Sequence, residues 1–98
     1  MKNPSKANEP DIYYHIGLAY CNQEKFEKAI FPLTKCHELV PSELNYIHER
    51  AKTYQMIDDH ENAETDFKLV IRMNPKNAHA YFRLAFSLKT LKKYEEAV

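Results

Sequence analysis

Apolar residues recur along this chain at helical spacing, beginning near Asp11. The first run occupies the i, i+3, i+4 and i+7 positions of one helix face with Tyr13, Ile16, Gly17 and Tyr20. A second run ends before Pro41, which cannot donate the next helical hydrogen bond, and consists of Phe26, Ala29, Ile30, Leu33 and Cys36. The pattern predicts two helices, near residues 11–22 and 26–39, joined by a short polar turn.

The same register returns after 34 residues, the separation of Pro41 and Pro75. It predicts helices near 44–57 and 60–73, a fifth near 78–91 and a truncated sixth from 94. Small residues at two repeat positions let the helices of a hairpin approach closely: Gly17, Ala51 and Ala85 at one, Ala29, Ala63 and Ala97 at the other. Because one hairpin cannot cover its own apolar face, neighbouring hairpins must stack. The predicted fold class is all-α: a right-handed α-solenoid of antiparallel helical hairpins.

This pattern resembles the tetratricopeptide repeat, a helix–turn–helix unit with a signature of aromatic, Leu-Gly, Tyr, Ala, Phe, Ala and Pro. The first copy has Tyr13, Ile16, Gly17, Tyr20, Ala29, Leu33, Cys36 and Pro41 at those places. The second copy has Ile47, Arg50, Ala51, Tyr54, Ala63, Phe67, Val70 and Pro75. Residues 1–9 are polar and show no periodicity, so they are predicted to be a flexible leader. The resemblance implies one array after it, with repeats at 10–43 and 44–77 and a partial repeat at 78–98.

Three residues depart from the signature. Arg50 stands where an apolar residue is usual, and we expect its stem to lie on the core and its head to reach solvent or an acidic neighbour. His60 replaces the aromatic residue found at the equivalent positions of the other repeats. Pro32 lies inside a predicted helix, where it removes one backbone hydrogen bond and should bend that helix.

The third hairpin presents an apolar face whose covering helix is truncated after Val98. This face is built from Tyr81, Leu84 and Leu88. Solenoids normally cover such a face with a further helix. We therefore expect the chain to be a piece of a longer array, or to self-associate through this uncapped hairpin.

Charge and cysteine usage narrow the class of partner. Fourteen basic residues balance fourteen acidic ones, so neither nucleic acid nor an anionic membrane surface is expected as a partner. The first ten residues lack the apolar core of a signal peptide, and no stretch is apolar enough to span a bilayer. The two cysteines, Cys21 and Cys36, lack C-x-x-C spacing and are expected to be free thiols. These features favour a cytoplasmic location.

The resemblance also implies a function, because the first helix of each tetratricopeptide hairpin lines a concave groove that binds peptides. Setting the packing residues aside, we expect the partner-binding residues to be Tyr14, His15, Leu18, Asn22, His48, Glu49, Lys52, Met56, His79, Phe82, Arg83, Phe86 and Lys89. The aromatic residues and Met56 would supply anchoring area. Packing between adjacent first helices is an equally good explanation for several of them. The leading hypothesis is a non-enzymatic interaction or scaffold module, and families with this repeat include ciliary and centriolar scaffolds.

Two other binding functions compete with the interaction-module hypothesis. Co-chaperones of this family hold acidic chaperone tails with a carboxylate clamp of lysine, asparagine and arginine. At the clamp positions this sequence has Tyr14, Leu18, Glu49, His79 and Arg83, of which only Arg83 matches. Glu49 would repel a carboxylate, so the clamp is predicted to be absent. RNA binding by a helical repeat is disfavoured by the neutral charge.

Catalysis, a bound cofactor or a metal site has less support in the sequence than partner binding has. A chain with a single glycine has no phosphate-binding glycine loop, and no nucleophile has a recognisable base and orienting acid. His15, His48 and His79 lie in different hairpins without metal-ligand spacing, so no metal site is predicted. Ligand binding whose affinity depends on pH through these histidines is a stronger hypothesis than metal binding.

Overall fold

The computed structural model describes residues 8–97, and these residues form five α-helices. Their bounds are α1 Glu9–Asn22, α2 Phe26–Leu39, α3 Leu44–Met56, α4 His60–Met73 and α5 Ala78–Ala97. Each helix packs on the next one along the chain, and α3 also contacts α5. The described residues extend over 59 × 29 × 18 Å, the elongated shape expected of stacked hairpins. The predicted all-α fold class of stacked antiparallel helices is confirmed.

The two complete hairpins turn in the same way without using glycine. Glu24 and Asp58, which occupy equivalent repeat positions, both adopt left-handed backbone conformations with φ of 60° and 63°. After the second turn, Asp59 accepts a hydrogen bond from the Asn62 amide at 3.3 Å and so caps α4. The backbone conformation of the turn therefore repeats along with the apolar register, whereas the cap does not, because Lys25 at the equivalent position of the first turn makes no side-chain capping hydrogen bond.

The core consists of one buried cluster in each complete hairpin. The first cluster is Ala29, Leu33 and Cys36, with tyrosines packed around it. The second is Ile47, Ala51, Ala63, Phe67, Val70 and Ala80. Burial raises the pKa of the Cys36 thiol to about 11, so this cysteine is a protonated core residue at neutral pH.

Gly17 is the point of closest approach between α1 and α2. A β-carbon placed there would lie 2.7 Å from both Cγ and Cδ2 of Leu33, whose side chain is fully buried. At the equivalent position of the second hairpin, alanine is accommodated as buried Ala51. The prediction that small residues at this repeat position let the two helices approach closely is confirmed for both complete hairpins.

Arg50 joins three helices through a largely buried ion pair. Its Nε and Nη2 atoms donate to the two carboxylate oxygens of Asp66 at 2.7 and 2.8 Å, and Nη1 donates to Thr34 Oγ1 at 3.3 Å. Burial opposes the positive charge, but the hydrogen bond and charge of Asp66 outweigh it, and the pKa of Arg50 is raised. The guanidinium also lies 5.7 Å from the centre of the Tyr54 ring. The expected acidic neighbour is therefore Asp66.

The structure differs from the sequence-based expectation at both ends. Helix α1 already begins at Glu9, with Pro10 buried in its first turn; the rest of the predicted leader, residues 1–7, lies outside the described residues. At the other end, α5 runs unbroken to Ala97, so the turn predicted before residue 94 is not formed. Residues 94–97 amount to about one helical turn, too little to fold back and pack as a separate helix. They instead extend α5.

Two further observations complete the fold. Pro32 is buried within α2, which continues past it to Leu39. Ala85 and Ala97 are exposed, unlike their equivalents in the complete hairpins, because no described helix packs over them. Within residues 8–97, no helix combines the length and the apolar character needed to cross a membrane.

Candidate partner-binding site

The first helices α1, α3 and α5 lie side by side, and we refer to their shared side as the first-helix surface. Tyr14 packs against Tyr46 with ring centres 4.9 Å apart, and Cys21 Sγ lies 3.4 Å from Thr53 Oγ1; both contacts join α1 to α3. The rings of His48 and His79 meet 6.4 Å apart between α3 and α5. The predicted partner-binding residues are therefore carried by helices that contact each other.

Exposed apolar side chains on this surface concentrate between α3 and α5. Phe82 is 75% exposed, Met56 58% and Phe86 56%, although each is large and apolar. They line a pocket of about 360 Å³ together with Gln55, Asp58 and Arg83. This arrangement, which we call the Phe82 pocket, offers an exposed apolar area with the cation of Arg83 and the carboxylate of Asp58 at its edge.

A chain of hydrogen bonds fixes α5 against α3 beneath the Phe82 pocket. Gln55 Nε2 donates to both the Arg83 carbonyl and Ser87 Oγ at 2.7 Å, and Arg83 Nη1 donates to Gln55 Oε1 at 3.3 Å. Because the Asp58 carboxylate can only accept, His60 Nε2 is the donor in their 3.3 Å contact. His60 Nδ1 then accepts from the Ser87 hydroxyl at 3.0 Å. Gln55 thereby holds both the backbone and the side chain of Arg83.

The predicted partner-binding residues of the first hairpin are either half-buried or are polar side chains that lie apart from one another. Tyr14 and Leu18 are half-buried, and burial, followed by the nearby Glu49, raises the pKa of Tyr14. His15 is exposed and bonds within its own helix, with Nδ1 2.8 Å from the Asp11 carbonyl. Asn22 is exposed at the end of α1. These four predicted residues are not gathered around one pocket.

The middle of the surface carries one pair of opposite charges and one half-buried histidine. Lys52 Nζ lies 3.1 Å from Glu49 Oε1, so each partly neutralises the other. His48 is half-buried, with its ring 5.9 Å from that of Phe67, and burial together with Lys52 lowers its pKa. Its Nε2 is buried without a hydrogen-bond partner. His79 and Lys89 are exposed on α5.

Of the predicted residues, the structure brings Met56, Phe82, Arg83 and Phe86 together around one pocket. The sequence reasoning missed Ser87, His60 and Asp58 as its supports. His60 did carry a signal, because it breaks the aromatic pattern of its repeat position. No group of three metal-ligating side chains capable of holding an ion occurs among residues 8–97.

Comparison with known families agrees with this architecture. Two models described as tetratricopeptide repeat match the chain, one over residues 10–42 and 44–77 and the other over residues 67–98. This chain belongs to the tetratricopeptide repeat family. The models thus cover both complete hairpins and α5.

Relatives of known sequence or structure are similar over most of this tetratricopeptide array. The small glutamine-rich tetratricopeptide repeat-containing protein 2 of Mycosarcoma maydis is 36% identical over 82 residues, which cover 84% of this chain and 23% of that protein. The first tetratricopeptide domain of Spaghetti (RPAP3), solved bound to the HSP90 peptide SRMEEVD, is 28% identical with a TM-score of 0.81, covering 92% of this chain and 71% of that one. The Sgt2 domain of Aspergillus fumigatus is 27% identical with a TM-score of 0.78, covering 94% and 60%. The chain spans less than a quarter of the curated relatives, between 10% and 23% of their lengths.

Proposed function

We propose that this tetratricopeptide array is a non-enzymatic protein–protein interaction module that binds a peptide or helix of a partner protein along the first-helix surface. The observation that carries the proposal is the Phe82 pocket, where Met56, Phe82 and Phe86 are all more than half exposed around about 360 Å³ of space. Large apolar side chains that converge on one pocket without covering each other are the usual anchors of protein interfaces.

The energetics favour a side chain of the partner in this pocket. Completely burying a Phe or Met side chain contributes about 1.5–3 kcal/mol, so covering these partly exposed side chains contributes less than that each, before the entropic cost of association. Met56 can adapt its shape, whereas Phe82 and Phe86 supply rigid area at low entropic cost. Arg83, held by Gln55, stands beside them and can donate to a carbonyl or other acceptor next to the partner's apolar anchor, while the exposed Asp58 carboxylate at the same pocket disfavours a strongly acidic segment.

A peptide-display selection would test this proposal. Random peptides of about twelve residues, long enough to span the three first helices, are selected on the immobilised chain and on Phe82→Ala/Phe86→Ala. We expect the wild type to enrich peptides with a recurrent apolar residue and the double variant to lose at least about tenfold in affinity for them. Phe31→Ala is the matched control, because Phe31 is 66% exposed but lies on α2. Equal binding by wild type and double variant would refute the pocket assignment.

A second candidate, recognition of an acidic chaperone tail, is favoured by one comparison. The Spaghetti (RPAP3) domain was solved with the HSP90 peptide SRMEEVD and is 28% identical to this chain. Against it, Tyr14, Leu18 and Glu49 occupy clamp positions here, and Glu49 is already paired with Lys52. We expect SRMEEVD to bind no better than a matched peptide with glutamine and asparagine replacing the acids. Micromolar binding that is lost in Arg83→Ala would establish the chaperone-tail function instead.

A further inference from the structure

His48 is a histidine at a repeat position that carries an aromatic ring in the other hairpins. The residues 34 positions before and after it are Tyr14 and Phe82. The His48 ring still makes an aromatic packing contact, because its centre lies 5.9 Å from that of Phe67 on α4. It also meets the His79 ring of α5 at 6.4 Å. A titratable group therefore stands where stacking requires only an aromatic ring.

The surroundings of His48 disfavour a positive charge on its imidazole. The charged and titratable groups that act on it are Glu49 and Lys52 on its own helix and His79 and Arg83 on α5, while α4 presents an uncharged phenylalanine ring. The acid in this set, Glu49, is already paired with Lys52 at 3.1 Å. The Nε2 atom is buried and has no hydrogen-bond partner within residues 8–97. A proton there would place a charged N–H beside two cations with no acceptor.

Arg83 connects this position to the Phe82 pocket. Its charge acts on His48, and the same side chain lines the pocket and donates from Nη1 to Gln55 Oε1 at 3.3 Å. His48 also lies about two helical turns before Gln55 and Met56 on α3, so these residues belong to the same junction between α3 and α5. A repulsion between His48 and Arg83 would therefore act on a wall of the pocket.

We propose that His48 is a proton switch in the junction between α3 and α5, and that the Phe82 pocket keeps its partner-binding form only while the imidazole is neutral. Protonation adds a cation beside Arg83 and Lys52, which favours conformations in which α5 moves away from α3. The apolar residues of the pocket lie on both helices, so this movement separates them. The switch rests on the proposed function, because it regulates binding at the same pocket.

The direction of the effect follows from proton linkage. Burial, followed by the charge of Lys52, lowers the pKa of His48 from 6.5, so the imidazole is predominantly neutral at about pH 7. Partner affinity should therefore be full at neutral pH and should fall as the pH drops below 6.5. His15 does not share this environment, because it is exposed and its Nδ1 contacts the Asp11 carbonyl of its own helix.

An NMR titration without any peptide tests the switch by itself. The Met56 methyl group lines the same pocket as two phenylalanine rings, whose ring currents make its chemical shift sensitive to their spacing. Between about pH 7.5 and about pH 5, the ¹³C-methyl signal of Met56 should shift with the same midpoint as the His48 ring signals. Met73, at the end of α4 and outside the pocket, serves as the internal reference and should not follow that midpoint.

Two matched variants assign the response to one histidine. His48→Phe keeps a ring against Phe67 but cannot take up a proton, so its Met56 signal should lose the pH-dependent shift. His37→Phe makes the same replacement at another half-buried histidine whose pKa is lowered by burial, but on α2, and should titrate as wild type does. Where circular dichroism shows that His48→Phe is not folded, His48→Tyr takes its place, because tyrosine occupies this position in the first repeat.

Peptides selected at about pH 7.5 on the Phe82 pocket provide the second readout. Saturating peptide should lower the pKa of His48 further, and each unit of that shift corresponds to about tenfold weaker binding by the protonated chain. Affinity should fall at least about threefold between about pH 7.5 and about pH 5 in wild type and in His37→Phe. In His48→Phe it should change less than about twofold over the same range.

Several outcomes would overturn the switch. A Met56 signal that does not follow the His48 titration excludes it, and a shift that persists in His48→Phe assigns the response to another group. A chain that unfolds before His48 titrates also excludes it, since the switch requires a folded protonated form. Failure to select any peptide refutes the proposed function, whereas the titration without peptide still decides whether His48 acts on the pocket. Peptide binding that does not depend on pH refutes the switch alone.

Discussion

Replacing Asp66 with alanine should be one of the most damaging single changes in this array. The Asp66 side chain is only 4% exposed and accepts two hydrogen bonds from Arg50, whose own side chain is 15% exposed. Without the carboxylate, the Arg50 guanidinium keeps its charge among α2, α3 and α4 and retains only the 3.3 Å bond to Thr34. An unpaired charge in such a site must either draw in water or force the helices apart.

The expected cost can be worked out from the burial of both partners. Removing one member of a buried ion pair destabilises a protein by about 3–5 kcal/mol. A domain of this size has a total stability of about 5–15 kcal/mol, so the loss is a large part of it. Since each kcal/mol shifts the melting temperature by about 4–8 °C at this size, Asp66→Ala should melt at least about 12 °C below wild type.

Urea unfolding followed by circular dichroism would measure this, and the single variants Asp66→Leu and Arg50→Met with the double variant Arg50→Met/Asp66→Leu complete a separate double-mutant cycle. We expect the double variant to lie within about 1.5 kcal/mol of wild type, because apolar residues of similar volume replace a buried pair at little cost. The cycle should therefore give a large coupling energy. A loss of less than about 1 kcal/mol in Asp66→Ala, or a double variant as unstable as the single one, would refute the assignment of a buried pair.

Three further changes test other parts of the fold. Gly17→Ala should lower stability by about 1–3 kcal/mol despite the helix propensity of alanine, because its β-carbon meets Leu33; a stabilised variant in urea unfolding would contradict this. Burial lowers the pKa of His37 and His48 from 6.5, so the unfolded chain binds their protons more tightly. The free energy of unfolding should therefore fall as pH drops from about 7.5 to about 5.5, and His37→Leu/His48→Leu should flatten that dependence. Gln55→Leu should cost about 1–3 kcal/mol in the same unfolding assay, because Ser87 loses a buried donor; an unchanged midpoint would argue against the network.

The helical repeat could be predicted from the sequence because stacking fixes the positions of apolar and small residues every 34 residues. The buried columns at Ala29, Ala51 and Ala63 follow from that requirement alone. The end of α5 cannot be predicted from that requirement, since a turn forms only when the helix beyond it has something to pack against. The same apolar spacing is therefore compatible with a turn before residue 94 and with the continuous helix observed.

The candidate site was only partly predictable, for a related reason. Repeat spacing indicates which side of a first helix a residue occupies, and Met56, Phe82 and Phe86, which share that side, line one pocket. It does not indicate how tightly adjacent helices approach, and that distance decides whether Tyr14 is free or is packed on Tyr46. Pairing of Glu49 with Lys52 likewise depends on rotamers that spacing leaves undetermined.

The polar contacts under the Phe82 pocket connect the fold to its proposed function. Both junctions combine apolar and polar contacts, since Arg50 of α3 bonds Thr34 in the preceding hairpin, and α5 is held by the hydrogen bonds of buried Gln55 to Arg83 and Ser87. Hydrogen bonds fix position more narrowly than apolar contact, because their strength falls quickly with distance and angle. Gln55 precedes Met56, while Arg83 and Ser87 each adjoin one of the two exposed phenylalanines. The same bonds that join the repeats therefore set the spacing between Met56 and the two phenylalanines, so Gln55→Leu should lower the affinity for peptides selected on the Phe82 pocket as well as the stability of the array.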